Sequence, residues 1–391
     1  MKKTLWTIAL ALGMAGNVKA QGVDDVLRTI EQNNKELQSL AQAAHAASLD
    51  VQSRNNLEDP TVEYSPFYAK GIDGVATSEL IVSQSFDFPT LYAARHQAGR
   101  LQQQAIGLQH RVARRDLLLE AKNLCLDLIR LNKENDLLTE RMKHADRLLA
   151  LFEKRLHEGD ASLLDVNKIK MERMTVQTEL TQNHAAHRTA LQQLLAMNAN
   201  QPLDFAATDY PAVSVAGSYD TLRDQVMAAD LGLQAADLTA RAARKEVNVS
   251  RQNWLPKLSV GYRRNTELNE ASNGFLVGGS LPLFSNRKKT RMARAQAVSA
   301  ELAHDDARLK AEAALQSGYN ELQQLQAALE AYDLPLMKKS LSLLGDAVTA
   351  GELSVIEYYV EADNIYRNLQ SYLETENRYQ KRVADLYKNA L

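Results

Sequence analysis

The sequence predicts a mostly α-helical protein with a small β part, built twice in tandem. Three observations carry this. Gly 17 and Pro 8 make up 25 of 391 residues, roughly half the share usual in soluble chains, so few positions break helices. Apolar residues recur at 4-3 spacing over long stretches, the pattern of packed coiled coils rather than a globular core. Landmarks of the first half return in the same order in the second half. Length alone would instead suggest two or three globular domains.

The chain opens Met1-Lys2-Lys3, runs apolar from Leu5 to about Val18, and reaches Val18-Lys19-Ala20 before Gln21. This is the pattern of a cleavable export signal over residues 1–20, with Lys19 unusual so near the cut. No cysteine follows the cut, which removes the lipoprotein route to a membrane anchor. No later stretch holds 18 consecutive apolar residues, so a mature transmembrane helix is not expected. Short alternating barrel strands would escape that test. Lys+Arg 46 against Asp+Glu 48 leaves a net charge of −2, which predicts no nucleic-acid partner. The single cysteine, Cys125, excludes an internal disulfide framework and a Cys-based zinc site.

The duplication is read from three matches. Leu37-Gln38, Ala44, Ala46-Ala47, Val51 and Pro60 recur as Leu233-Gln234, Ala240, Ala242-Ala243, Val247 and Pro256. Ser85-Phe86-Asp87-Phe88 aligns with Ser280-Leu281-Pro282-Leu283, and Gly159–Asp165 aligns with Gly351–Glu357. The predicted organisation is a first repeat over 21–200, a linker over 201–218 holding Pro202, Pro211 and Gly217, and a second repeat over 219–391.

Each repeat opens with a helix, near Asp24–Asn56 and Tyr219–Asn253, that stops before Pro60 or Pro256 as helices tend to. Alternating segments follow. Leu80, Val82, Phe86 and Phe88 share one face against Glu79, Ser83, Ser85 and Asp87, with Ile81 the exception. Leu258, Val260 and Tyr262, then Phe275, Val277, Leu281 and Leu283, alternate likewise. Gly71, Asp73 and Gly74, then Asn269, Ser272, Asn273 and Gly274, are the expected turns.

Long helices come next, near Thr90–His157 and Arg287–Ala350, each on the order of 100 Å at about 1.5 Å per residue. The first has a 4-3 seam from Leu117 to Leu156 broken by Asn135. Pro335 is expected to kink the second. The closing helix carries a seam from Val355 to Leu386 broken by Glu376. In Gly159–Asp165 and Gly351–Glu357, the glycine can stop one helix in a left-handed conformation. Ser162 or Ser354 can cap the next, with Asp165 or Glu357 placed to close a capping box.

Four strands cannot close a barrel, since about eight is the small end, and an open sheet exposes edges that a membrane does not tolerate. Three copies would supply twelve strands. With the duplicated helix–Pro–strand order and the paired Gly-x-x-Ser-apolar-apolar-acid motif, the chain resembles the TolC-type family of outer-membrane efflux ducts over essentially its whole mature length. Its compact length looks more like the cobalt-zinc-cadmium (CzcC-like) branch. The resemblance implies a homotrimer, with a 12-stranded barrel among outer-membrane lipid and an α-helical tunnel across the periplasm. A periplasmic adaptor (membrane fusion protein) and an inner-membrane transporter such as an RND-type pump would feed it.

By the same resemblance the paired motifs are the tunnel's periplasmic tips. Asp165 and Glu357, with Glu361 one turn on, would line the entrance and favour cations. Gly159, Ser162, Leu164, Gly351, Ser354 and Ile356 would shape the tips and meet the adaptor. The alternative is that both acids only close capping boxes. Position 353 is Leu, where some relatives carry a basic latch residue.

Weaker signals are read structurally. His184 and His187 could share a cation, but a surface or seam position explains them more simply. Met171 and Met174 are read as helix packing and Cys125 as a buried filler. Arg263-Arg264 and Arg287-Lys288-Lys289 sit at a polar boundary, against lipid headgroups or at a solvated helix start. Tyr68, Tyr92 and Tyr262 suit an interfacial belt. No catalytic constellation is present, no cofactor is expected, and an enzyme is not predicted. The competing reading is a periplasmic adaptor or other coiled-coil binding protein without a pore. Metal ions, small toxins and peptides all remain open as cargo.

Overall fold

The computed structural model describes residues 22–213, 218–267 and 270–391. The export signal, part of the linker and Asn269 lie outside the described residues. The elements are α1 (Val23–Asn33), α2 (Lys35–Ser53), β1 (Thr61–Phe67), β2 (Thr77–Phe86), α3 (Pro89–Glu158), α4 (Leu163–Met197), α5 (Tyr219–Ala229), α6 (Leu231–Gln252), β3 (Lys257–Glu267), β4 (Glu270–Ser280), α7 (Lys289–Glu330), α8 (Leu334–Ala350) and α9 (Val355–Leu386). Contacts divide the chain into a helical unit (up to Asn34, Glu120–Val213, Leu325–Lys381) and a strand-bearing unit (Lys35–Leu119, Ser214–Gln324, Arg382–Leu391). Each draws on both halves of the sequence, and α3 contributes residues to both.

The opening helix of each half is two helices, not one. Asn34 has ψ 122° between α1 and α2, and Asp230 has ψ 108° between α5 and α6. The two breaks stand 196 positions apart, the offset of the sequence repeat. Side chains of this kind bond locally to backbone and compete with helix continuation. Asp230 does so by accepting from the Leu233 N–H at 2.8 Å, whereas Asn34 is held from a distance, donating through Nδ2 to the Met197 carbonyl at 2.8 Å. Pro335 likewise ends nothing by kinking. The helix stops at Glu330, Asp333 caps a new one by accepting from the Leu336 N–H at 2.9 Å, and Pro335 sits in its first turn. There its missing N–H costs nothing.

In the strand-bearing unit the four strands form one antiparallel sheet in the order β1-β2-β3-β4. The register sets Val62, Val82, Tyr262 and Phe275 in one row, and Leu80 opposite Arg264. Opposed residues share a face, so Val62, Tyr64, Leu80, Val82, Leu258, Val260, Tyr262, Phe275 and Val277 lie together. Glu63, Glu79, Ser83, Ser85, Ser259, Arg263 and Ser272 lie on the other face, with Phe67, Ile81 and Leu276 its apolar members. The apolar face is open: Phe275 is 94% and Val277 84% exposed. Gly71 and Gly74, at φ 94° and 97°, turn β1 into β2. Two strand expectations need correction. Glu267 pairs with Glu270, so Ser272, Asn273 and Gly274 are strand rather than turn residues. Phe88, Leu281 and Leu283 lie beyond the strand ends.

In the helical unit the α3 seam is buried at Ala121, Leu128, Leu131, Leu138, Ala145 and Phe152. Cys125, Leu126 and Ile129 are buried as well, because α3 packs on two sides. Asn183 of α4 donates to the Leu131 carbonyl at 3.1 Å, and Asn377 of α9 donates to the Leu126 carbonyl at 3.0 Å. Burial pushes the Cys125 thiol up to about 12, as suits an inert filler. The polar interruptions of the seams are partnered: Asn135 meets His184 at 2.7 Å, and Glu376 pairs with Lys133 at 2.8 Å.

Candidate functional site

The two hairpin tips both belong to the helical unit and repeat one geometry. After α3, Gly159 takes φ 85°; after α8, Gly351 takes φ 84°. The Asp160 N–H reaches back to the Arg155 carbonyl at 2.8 Å and the Gly159 N–H to Leu156 at 3.2 Å. The Glu352 N–H reaches Ala347 at 3.0 Å and the Gly351 N–H reaches Val348 at 3.3 Å. This is the bond pair that closes a helix on a left-handed residue.

The following helix begins with a reciprocal cap in each case. Ser162 Oγ accepts from the Asp165 N–H at 3.1 Å, and Asp165 Oδ2 accepts from the Ser162 N–H at 3.0 Å and its hydroxyl at 2.6 Å. Ser354 Oγ accepts from the Glu357 N–H at 3.2 Å, and Glu357 Oε2 accepts from the Ser354 N–H at 3.1 Å and its hydroxyl at 2.7 Å. The Ser354 hydroxyl and N–H hold the Glu357 carboxyl below its ordinary range. Glu357 and Glu361 are exposed, while Asp165 is half-buried. Leu164 is 65% and Ile356 47% exposed.

Behind the caps the hairpins share one apolar cluster: Leu148 and Phe152 from α3, Val166 and Ile169 from α4, Val348 from α8, and Val355, Tyr358, Tyr359 and Ala362 from α9. Leu353 packs partly buried against it, so an apolar contact stands where a latch residue was considered. Arg155 donates to the Thr349 carbonyl at 2.6 Å, a direct tie between the two hairpins.

Sequence reading missed the polar layer above this cluster. Arg141 on α3 is 6% exposed. It pairs with Glu172 at 2.6 Å and Glu179 at 3.1 Å on α4, and stacks on the Tyr366 ring at 4.7 Å on α9. Burial raises the Glu179 carboxyl against the pull of Arg141. His144 meets the Tyr358 hydroxyl at 2.9 Å. Burial, then repulsion from Arg147, depresses it, against the pull of Asp346. Arg141 occupies a seam-adjacent position where an isolated charge reads as solvated, and its partners are 31 or more positions away.

The remaining candidates sit elsewhere. His184 is exposed and His187 half-buried, and among the described residues no three His, Cys, Asp or Glu side chains gather as a metal group. Met171 and Met174 are 55% and 62% exposed, on the outer face of α4 rather than in its packing, since the buried residues there are Val166, Ile169 and Val176. Tyr262 lies mid-strand with its hydroxyl on Asn273 at 2.5 Å, and the Tyr92 hydroxyl accepts from the Asp87 N–H at 3.1 Å. Of the proposed belt only Tyr68 is freely exposed beyond a strand end. Arg263 pairs with Glu79 on the polar sheet face.

Residues 222–390 match the family model described as outer membrane efflux protein. No curated protein matches the sequence significantly. Among solved structures, a membrane protein from Pseudomonas aeruginosa superposes with TM-score 0.72 at 17% identity, over 95% of this chain and 90% of that one. The outer membrane protein VceC of Vibrio cholerae gives 0.69 at 15%, over 93% and 94%. The Campylobacter jejuni CmeC outer membrane channel gives 0.71 at 14%, over 100% and 93%. At these identities the likeness is one of fold, and it extends over the first half, which the family model does not cover. The second half of the chain thus matches the outer membrane efflux protein model in sequence, and the fold of such outer-membrane channels extends along the chain.

Proposed function

We propose that the protein is the outer-membrane exit duct of a tripartite efflux or secretion system, conducting cargo passively rather than transforming it. The carrying observation is the four-stranded sheet with one face apolar and exposed. No such face is kept open in water over two hairpins without a nonpolar medium to meet it. Among the described residues β1 and β4 each pair on one side only. Three copies joined β4 to β1 make a twelve-stranded wall with no free edge, apolar outward and lined by the Glu79, Ser83, Ser259 and Arg263 face.

The same threefold axis gathers three copies of each tip. Asp165, Glu357 and Glu361 then ring a periplasmic mouth and bias it toward cations. One oxygen of each capping acid is committed to its serine, so each cap also fixes where the charge stands. The exposed Leu164 and Ile356 beside Gly159, Ser162, Gly351 and Ser354 offer the adaptor an apolar contact on rigid turns. An inner-membrane pump coupled through that adaptor supplies the energy.

Membrane fractionation with mass determination tests this. The duct reading expects extraction from the outer membrane only by detergent, at the mass of three chains. A monomer freed by osmotic shock would return the protein to the pore-less adaptor class.

A further inference from the structure

We propose that the strand-bearing unit carries a binding site for the phosphate headgroup of an anionic phospholipid, in the cavity where the strand ends meet the helices. The inference rests on the outer-membrane reading. The cavity holds about 690 Å³, and its wall presents four cations, Arg54, Arg95, Lys257 and Lys289, against two carboxylates, Glu58 and Asp87. Both carboxylates are engaged: Glu58 pairs with Lys257, and Asp87 takes Arg95 at 2.7 Å and lies 3.9 Å from Lys257. Arg54 also pairs with Asp50 at 2.5 Å. Among the described residues, Arg287, Lys288 and Lys289 have no acidic partner. Lys289 is therefore the cavity cation with no acid beside it, and Arg287 and Lys288 adjoin it in sequence.

Its placement is costly without an anion. Arg287, Lys288 and Lys289 stand at the N-terminus of α7, whose first turn holds no acidic residue, so their charges oppose the helix dipole. Lys288 moreover sits at φ 66°, an unfavourable conformation for a side chain of its kind. The first turn of α3 also lacks an acid, and Leu91 in it lines the same cavity. Two helix N-termini and four cations thus face a volume large enough for a phosphate ester.

The lip of the cavity identifies an amphiphile rather than a free anion. Leu281, Leu283 and Phe284 line it and are 67%, 62% and 79% exposed. They follow directly on β4, whose Val277 belongs to the exposed apolar sheet face. Acyl chains lying on that face would pass over Leu283 and Phe284 and bring their phosphate to Lys257 and Lys289. Basic pockets flanked by membrane-facing residues recognise anionic headgroups in this way.

Trp254, between the cavity residues Asn253 and Leu255, is the sole tryptophan once residues 1–20 are removed. Its quenching by brominated phosphatidylglycerol, compared with brominated phosphatidylcholine, tests the site in the detergent-solubilised chain from Gln21 onward. Wild type should be quenched at a several-fold lower mole fraction of phosphatidylglycerol. That preference should fall about fivefold for each basic residue neutralised in Lys289→Gln and Lys257→Gln/Lys289→Gln. Leu283→Ser/Phe284→Ser should weaken quenching by both lipids. Equal quenching of wild type by the two lipids overturns the proposal. Displacement of phosphatidylglycerol by millimolar inorganic phosphate also overturns it, in favour of a free-anion site. Wild type that conducts in a planar bilayer yet shows no lipid preference overturns this inference alone, whereas failure to insert overturns the duct with it.

Discussion

Arg141 of α3 and Asp363 of α9 lie 3.6 Å apart, with Arg141 almost wholly buried. The same guanidinium holds Glu172 and Glu179 of α4, so one cation joins both hairpins above the shared apolar cluster. Removing one partner of such a group leaves charges buried and unpaired. Arg141→Ala should therefore cost about 3–5 kcal/mol of stability, read by denaturant unfolding in detergent.

Glu179 should behave oppositely to the arginine. Its carboxyl is raised by burial, so its contribution is present at low pH and lost as pH rises through the raised value. Glu179→Gln should be neutral or stabilising at pH 7, and its advantage should shrink on acidification. Equal loss at both pH values in paired unfolding curves would contradict this.

His144 gives the helical unit an acid sensitivity. Its pKa is lowered from 6.5 in the folded chain, so the unfolded chain takes the proton first. Stability is full above 6.5, begins to fall as pH drops below it, and stops falling below the depressed value. His144→Gln should flatten that decline in unfolding midpoints between pH 7 and pH 5.

The tips test backbone rather than packing. A Cβ at Gly159 or Gly351 would meet nothing within 4 Å, yet both have φ near +85°. Gly159→Ala and Gly351→Ala should each cost about 1–2 kcal/mol through conformation alone. Asn in place of Ala should recover part of it, since Asn tolerates this region better.

The sheet faces predict a contrast in membrane assembly. Val277→Arg, on the exposed apolar face, should cost about 2–4 kcal/mol in lipid and reduce outer-membrane yield. Ser259→Arg, on the polar face, should assemble normally and change conductance instead. The fraction of heat-resistant oligomer in isolated outer membranes measures both.

Much of this was legible because the signals are local and periodic. Period two separates Val82 from Ser83, the 4-3 seam marks Leu128 and Leu138, and Gly-x-x-Ser-x-x-acid spells a stop followed by a cap. The breaks at Asn34 and Asp230 were missed because the apolar pattern runs through them, while a single side chain bonding to backbone decides the geometry. The polar residues Ser272–Gly274 look like turn formers in sequence, whereas pairing with Arg263–Asn265 fixes them as strand. Arg141 was invisible for a different reason: two other helices, α4 and α9, supply its partners, and no spacing along one helix reveals them.

Single-channel recording of the detergent-purified protein in a planar bilayer tests the central claim most directly, comparing wild type with Asp165→Asn/Glu357→Gln. The account predicts a small cation-selective current in wild type that grows or loses selectivity when both acids are neutralised. A folded sample that never inserts or conducts would contradict it.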